Sequence, residues 1–148
     1  MSYVSSYFHC VFSTKERRPL ITPKLREQLW PFLGGIARQN KMDAIAIGGV
    51  SDHVHVLLSL PSTMTPAKAM QLLKGGSSKW VHDTFPEHRL FAWQEEYGAF
   101  SVSVSQLDRT MRYVEDQEAH HRTRSFKEEF LELLKKHQVK FDERYLWD

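Results

Sequence analysis

The sequence predicts an α+β fold: a ferredoxin-like (βαββαβ) four-stranded antiparallel sheet with helices on one face plus C-terminal helices. Two observations carry this reading. β-Branched and aromatic residues concentrate in runs at 3–13, 43–50, 53–60 and 90–104, and Thr-Pro pairs open amphipathic stretches after the first and third runs. With right-handed crossovers, that order closes into one antiparallel sheet. Such a fold hosts many chemistries, so function has to be argued from particular residues.

The first run, YVSSYFHCVFS, reads as a strand that exits at the charged cluster Lys15–Pro19. Thr22-Pro23 is a cap with proline at the first helical position. Leu25, Leu29, Phe32, Leu33 and Ile36 then mark a helix to about Asn40, which Pro31 is expected to kink or divide. The runs 43–50 and 53–60, with Ser51-Asp52 between them, read as a β-hairpin. Thr65-Pro66 opens a second helix, with Met70, Leu73, Ser77, Trp80 and Val81 on one face, ending before Pro86. Residues 90–104 read as a long strand with a bulge or bend at Gly98. Ser105 and Asp108 resemble a capping box for a helix to about His121, and a charged helix over 125–137 precedes the aromatic tail FDERYLW.

Composition narrows the classes of function. A chain of 148 residues with 41% hydrophobic and 26% charged residues is expected to be one folded domain over 1–148, not a disordered one. No run is long and apolar enough for a membrane span, and no signal peptide is read at the N-terminus. The lone Cys10 excludes an internal disulfide framework, so a cytoplasmic setting is expected. A formal net charge of +2 is too small to drive duplex binding by charge alone, so any nucleic-acid site has to be a local patch. No P-loop or dinucleotide fingerprint is present, so no nucleotide cofactor is expected.

His53-Val54-His55 is the first constellation with chemical content. In a strand, alternate side chains share a face, so two imidazoles about 7 Å apart at their bases can converge on one divalent ion. Two solvated histidines on a sheet face fit the same pattern. On the later helix, Leu107, Met111 and Val114 form a buried stripe, while Tyr113 and Gln117, four residues apart, share a neighbouring face. Arg109 and Arg112 lie towards the solvent side, where a DNA phosphate or an acidic neighbour would suit them equally.

The segments D-H-V-H-V-L-L, K-G-G-S-S-K-W, W-Q-x-x-Y-G-A-F-S-V-S and Y-V-E-D-Q-E-x-H-H, in that order, resemble the single-tyrosine HUH transposases of small bacterial insertion sequences. This IS200-like family includes the REP-associated tyrosine transposases, and the resemblance runs from about Tyr7 to Tyr145. It implies that His53 and His55 are the HUH histidines, that Tyr113 is the nucleophile and that Gln117 is the third metal ligand. Mg²⁺ or Mn²⁺ is the implied cofactor. Glu96 departs from the pattern, standing where relatives often carry glycine.

The implied function is a metal-dependent single-stranded DNA transposase that cleaves and rejoins strands through a 5′-phosphotyrosine and recognises hairpin ends. A catalytically silent DNA-binding protein of the same fold, or a water-using nuclease, would retain much of this sequence. Lys15, Arg17, Arg18, Lys74, Lys79 and Arg112 are the candidate DNA contacts, with Trp93 and Phe100 as candidate stacking platforms. His120 and His121 match a histidine pair of the family and are expected at helix-end carbonyls. Exposed sheet edges, with 90–104 as one of them, suggest a homodimer. Similar transposases are dimers, in which Tyr113 could serve its partner's histidines in trans or its own in cis.

Overall fold

Seven residues of the first aromatic run, Tyr7–Ser13, form strand β1 at an interior position of the sheet. The structure, a computed structural model, describes residues 2–121 and 124–146, with the backbone alone at Tyr145. After β1 come α1 (Pro23–Gln39), β2 (Asp43–Val50), β3 (His53–Ser59), α2 (Pro66–Thr84), β4 (Gly98–Val102), α3 (Leu107–Glu115), α4 (Gln117–His120) and α5 (Phe126–Lys136). The sheet order is β2-β3-β1-β4, with every neighbouring pair antiparallel. This is the ferredoxin-like arrangement. Trp147 of the C-terminal tail lies outside the described residues.

Local chemistry accounts for the helix starts. Thr22 and Thr65 each accept a backbone N–H through Oγ1, from Leu25 and Lys68 respectively, both at 3.1 Å. Ser125 caps α5 in the same way, through Glu128 N–H at 3.2 Å. A side-chain oxygen thereby satisfies one of the donors that a helix start leaves free. Pro31 does not divide α1, which runs unbroken through it. Its ring faces solvent, where water can take up the carbonyl freed by the missing N–H.

Two apolar layers sandwich the sheet. On one face Cys10, Phe12, Val54, Val56 and Leu58 pack with Leu25, Leu29 and Leu33 of α1 and Met70 and Leu73 of α2. On the other, Ala46 and Leu57 meet Val114 of α3, with Leu107 and Met111 beside them. Val11 and Phe100 meet Phe126, Leu133 and Leu134 of α5 on that second face. The C-terminal helices therefore cover the face that α1 and α2 leave bare.

Two expected elements differ. The strand over 90–104 is confined to Gly98–Val102. Residues 90–97 lack a strand because their aromatics are anchored from irregular backbone. Trp93 packs edge-on against Phe12 and Phe91, and its Nε1–H donates to Ser77 Oγ at 2.9 Å. Gly98 begins β4 instead of bulging it, and a Cβ there would lie 2.9 Å from both Phe100 and Phe130. The single helix expected to run to His121 is broken at Asp116 (φ −104°, ψ 33°) into α3 and α4. Ser105 makes no cap; its hydroxyl pairs with Ser103 at 3.0 Å, and a 3₁₀ turn at Val104–Gln106 leads into α3.

Gly75 in α2 has open space around it: nothing lies within 4 Å of the position that a Cβ would take, and its φ is not positive. Gly75→Ala is therefore expected to stabilise the protein by about 0.5–1 kcal/mol, because alanine loses less backbone entropy in a helix. Thermal melting reads this directly, and a lowered midpoint would contradict it.

Candidate active site

The pairing of β1 with β3 sets the floor of the site. His53 and His55 lie opposite Ser13 and Val11, so the odd-numbered residues of both strands face the α3–α5 side. Both histidines are fully buried. Each is held from behind at Nδ1: His53 by Asp52 Oδ1 at 2.7 Å, and His55 by His9 Nε2 at 2.7 Å. Both Nε2 atoms therefore point towards α3, α4 and α5.

Helix α3 brings the tyrosine. With Leu107, Met111 and Val114 on the sheet, the Tyr113 ring stands 5.9 Å from His55 and 5.8 Å from His9, between ring centroids. The break at Asp116 then turns Gln117 inward, where it is 1% exposed. Its Nε2 donates to the Tyr113 carbonyl at 3.0 Å, which leaves Oε1 3.4 Å from His53 Nε2. His53, His55, Tyr113 and Gln117, drawn from two distant segments, thus meet in one place within one chain.

Helix α5 adds a residue that the sequence reading missed. Glu129 is fully buried among these groups. Its Oε1 lies 2.9 Å from His55 Nε2, 3.1 Å from His121 Nε2 and 3.4 Å from His53 Nε2, and its Oε2 accepts the Tyr113 hydroxyl. Arg124 also donates to that hydroxyl, at 3.1 Å, and pairs with Glu132. A signal was present in the sequence: Phe126, Phe130, Leu133 and Leu134 make a helical stripe, and Glu129 sits inside it. A carboxylate on the buried side of an amphipathic helix needs a partner. His9, in the middle of the first strand and on the same face as the pair, was missed as well. His121 was expected at a helix-end carbonyl; its ring turns inward because α4 ends beside Glu129. His120 stacks on Tyr113, with ring centroids 4.5 Å apart.

Burial and these contacts shift the titrations. Desolvation pulls His9 down to about 3 and His55 down to about 4, so both are neutral at ordinary pH. Burial also pulls on His53, but its bonds to Asp52 and Glu129 outweigh it and raise its value. Burial and the neighbouring Glu129 carboxylate raise the Tyr113 phenol, against a smaller opposing pull from Arg124. Glu129 would be raised by burial alone, yet its bonds to His121, His53 and His55 hold it far below the usual carboxylate range.

The expected DNA contacts divide. Lys15, Arg18 and Arg112 are exposed and Arg17 is half-exposed, with Arg18 3.5 Å from Glu16. Lys74 ties down the 90–97 loop, donating to the carbonyls of Glu95 at 2.7 Å and Glu96 at 3.3 Å, and Lys79 pairs with Asp83 at 2.6 Å. Phe100 is 3% exposed and belongs to the core, so it presents no face for a base, whereas Trp93 is half-buried and packed edge-on against Phe12. The cavity that opens onto Tyr113, of about 440 Å³, is lined instead by His9, Ser101, Gln106, Arg109 and Lys136, among others. No helix among the described residues is long and apolar enough to cross a membrane.

Comparison with known proteins agrees with this architecture. The family described as "Transposase IS200 like" matches residues 2–117. The chain is 26% identical over 115 residues to the ISDra2 transposase TnpA of Deinococcus radiodurans, covering 74% of this chain and 82% of that protein. It is 23% identical over 109 residues to the transposase for insertion sequence element IS200 of Salmonella typhimurium, covering 74% and 72% respectively. Among solved structures, one assigned as a transposase of Deinococcus radiodurans R1 superposes with a TM-score of 0.63 at 25% identity, covering 79% of this chain and 95% of the other. The fold is also that of a REP-associated tyrosine transposase bound to a REP hairpin, with a TM-score of 0.57 at 12% identity over 77% of this chain and 67% of the other. With a family match over most of its length and the family's fold beneath its histidine pair, this chain belongs to the IS200-like transposases.

Proposed function

We propose that this transposase cleaves and rejoins single-stranded DNA through Tyr113, at a divalent-ion site built on His53, His55 and Gln117. The observation that carries the reading is the convergence of these four side chains, from β3, α3 and α4, at one buried point. The donor set fits the ion. Two imidazoles fixed from behind would offer Nε2, and an amide would offer oxygen, to Mg²⁺ or Mn²⁺, cations that also bind phosphate oxygens. Such an ion, when bound, neutralises charge on the scissile phosphate and on the departing oxygen.

The chain's residues account for the remainder. Tyr113 Oη gives up its proton to water and bonds to phosphorus; the bond from phosphorus to the 3′-oxygen breaks, and that oxygen takes a proton back from water and leaves as a hydroxyl. A 5′-phosphotyrosine results. Since one phosphate ester replaces another, rejoining needs no nucleotide cofactor. His9 and Asp52 hold the two imidazoles, and Gln117 ties its own amide to the backbone of Tyr113. Arg109 and Lys136, beside the cavity at Tyr113, suit a DNA backbone. The structural neighbour's REP hairpin supports hairpin-bearing strands as the substrate. The protein acts as one transposase domain over 1–148, in the cytoplasm where its DNA lies.

The test is covalent capture. Wild-type protein incubated with labelled hairpin-bearing single strands and Mn²⁺ is expected to give an adduct on a denaturing gel. Chelation should abolish it, and duplex of the same sequence should react poorly. Adduct formation that persists after chelation would overturn the metal-dependent reading.

The protein is further proposed to act as a homodimer, because β2 and β4 leave the sheet with two edges. Tyr113 already stands beside the histidines of its own chain, so each site is taken to be complete in cis. Mixing His53→Ala and Tyr113→Phe subunits should then restore no cleavage. Recovered cleavage after subunit exchange would show sites shared in trans.

A further inference from the structure

We propose that Glu129 and His121 complete, with His53 and His55, a four-ligand site for a first-row transition ion, formed when α5 is docked on the sheet. The inference rests on the divalent-ion reading of the histidine pair and extends it to His121, at the end of the tyrosine segment, and to Glu129, outside the motifs. One ligand atom from each of the four residues lies within 4.8 Å of the others.

Hydrogen-bond accounting points the same way. Asp52 can only accept, so the hydrogen of a neutral His53 sits on Nδ1, facing Asp52 at 2.7 Å. Unless the ring takes a second proton, His53 Nε2 carries a lone pair. It faces Glu129 Oε1 and Gln117 Oε1, each at 3.4 Å, and both are acceptors as well. The amide of Gln117 cannot turn to donate here without giving up its 3.0 Å bond to the Tyr113 carbonyl. His55 and His121 aim Nε2 at the same Glu129 oxygen, at 2.9 and 3.1 Å. Three imidazole nitrogens that share one buried carboxylate oxygen can exchange the protons between them for a cation.

The donor set indicates which cation. Three imidazoles and one carboxylate suit Zn²⁺ or Co²⁺ in a tetrahedral site, and are poor in the oxygen ligands that Mg²⁺ requires. Four protein ligands also saturate such an ion, whereas a catalytic ion keeps an open position. Glu129 therefore has two attachments, Oε1 at the histidines and Oε2 at the Tyr113 hydroxyl. With α5 docked, the ion is closed and the nucleophile is held, so a DNA phosphate reaches the ion only when Glu129 withdraws.

Titration of metal-free protein with Co²⁺, followed by visible absorption and by competition with Zn²⁺ and Mg²⁺, tests this without any cleavage assay. Wild type should bind one Co²⁺ with the intense bands of four-coordination, displaced by Zn²⁺ but not by millimolar Mg²⁺. Glu129→Gln, which keeps the side chain's shape, should lose at least about 100-fold in affinity, the upper end of what losing even an outer-shell partner costs, and should lose those bands. His121→Ala, at the end of α4 and away from the strands, should weaken binding in the same direction; circular dichroism checks that each variant is folded. Wild-type affinity and spectrum in Glu129→Gln, with binding lost in His55→Ala, would overturn the four-ligand site and leave the histidine-pair reading standing. Wild-type binding by His55→Ala would overturn both.

Discussion

Tyr113→Phe is expected to abolish the covalent adduct and reduce strand cleavage by on the order of 10⁴-fold or more, the scale on which enzymes lose rate when their nucleophile is removed. The change deletes one oxygen. It leaves in place the ring that packs against His9, His55 and His120. Two hydrogen bonds go with it, from Tyr113 to Glu129 and from Arg124 to Tyr113. Arg124 retains Glu132, and Glu129 retains its histidines, so the fold should survive. Thermal melting of the variant separates loss of chemistry from loss of structure. Labelled single strands then read the chemistry. Cleavage at the wild-type rate with no adduct would reassign the protein as a nuclease that uses water. Binding without cleavage in the wild type as well would mark a silent DNA-binding protein.

Gly48→Ala should have the largest effect on the fold, and it reaches the site from outside. A Cβ at Gly48 would lie 1.9 Å from the Val114 carbonyl oxygen and 2.9 Å from its carbon. Both are backbone atoms of α3, so no rotamer change relieves the overlap; the helix has to move. Overpacking of this kind costs about 3 kcal/mol. In a chain of this size that lowers the melting midpoint by about 10 °C. Val114 follows Tyr113, so the displacement also carries the phenol away from His55. Cleavage is expected to fall even at temperatures where the variant remains folded. A variant with wild-type melting and cleavage would show that α3 does not rest its backbone on β2.

His53-Val54-His55 was legible in the sequence because strand alternation is local: Val54 enters the α1–α2 core, and the histidines face the other way. The stripe of Leu107, Met111 and Val114, with Tyr113 beside it, was legible for the same reason, since helical periodicity places side chains within a few residues of one another; the break at Asp116, which turns Gln117 inward, was not. Both Thr-Pro caps and the hairpin also follow from short-range rules. The fourth strand was overestimated because Phe91 and Trp93 look like strand residues, yet they fill the core from irregular backbone. Periodicity cannot tell an aromatic packed from a pleat from one packed from a loop.

What only the tertiary structure decided is how distant segments meet. His9 and His55 are 46 positions apart, and they touch because β1 and β3 are neighbours in the sheet. Glu129 lies 74 positions from His55 and reaches it because the apolar stripe of α5 is buried against Val11 and Phe100. That burial is non-directional: it selects the face of the helix that turns inward and says nothing of what the charged residue within the face will meet. The sequence by itself determined the order of strands and helices and the faces on which His53, His55 and Tyr113 stand. Long-range packing alone decided that a buried carboxylate from the C-terminal helix would lie among them.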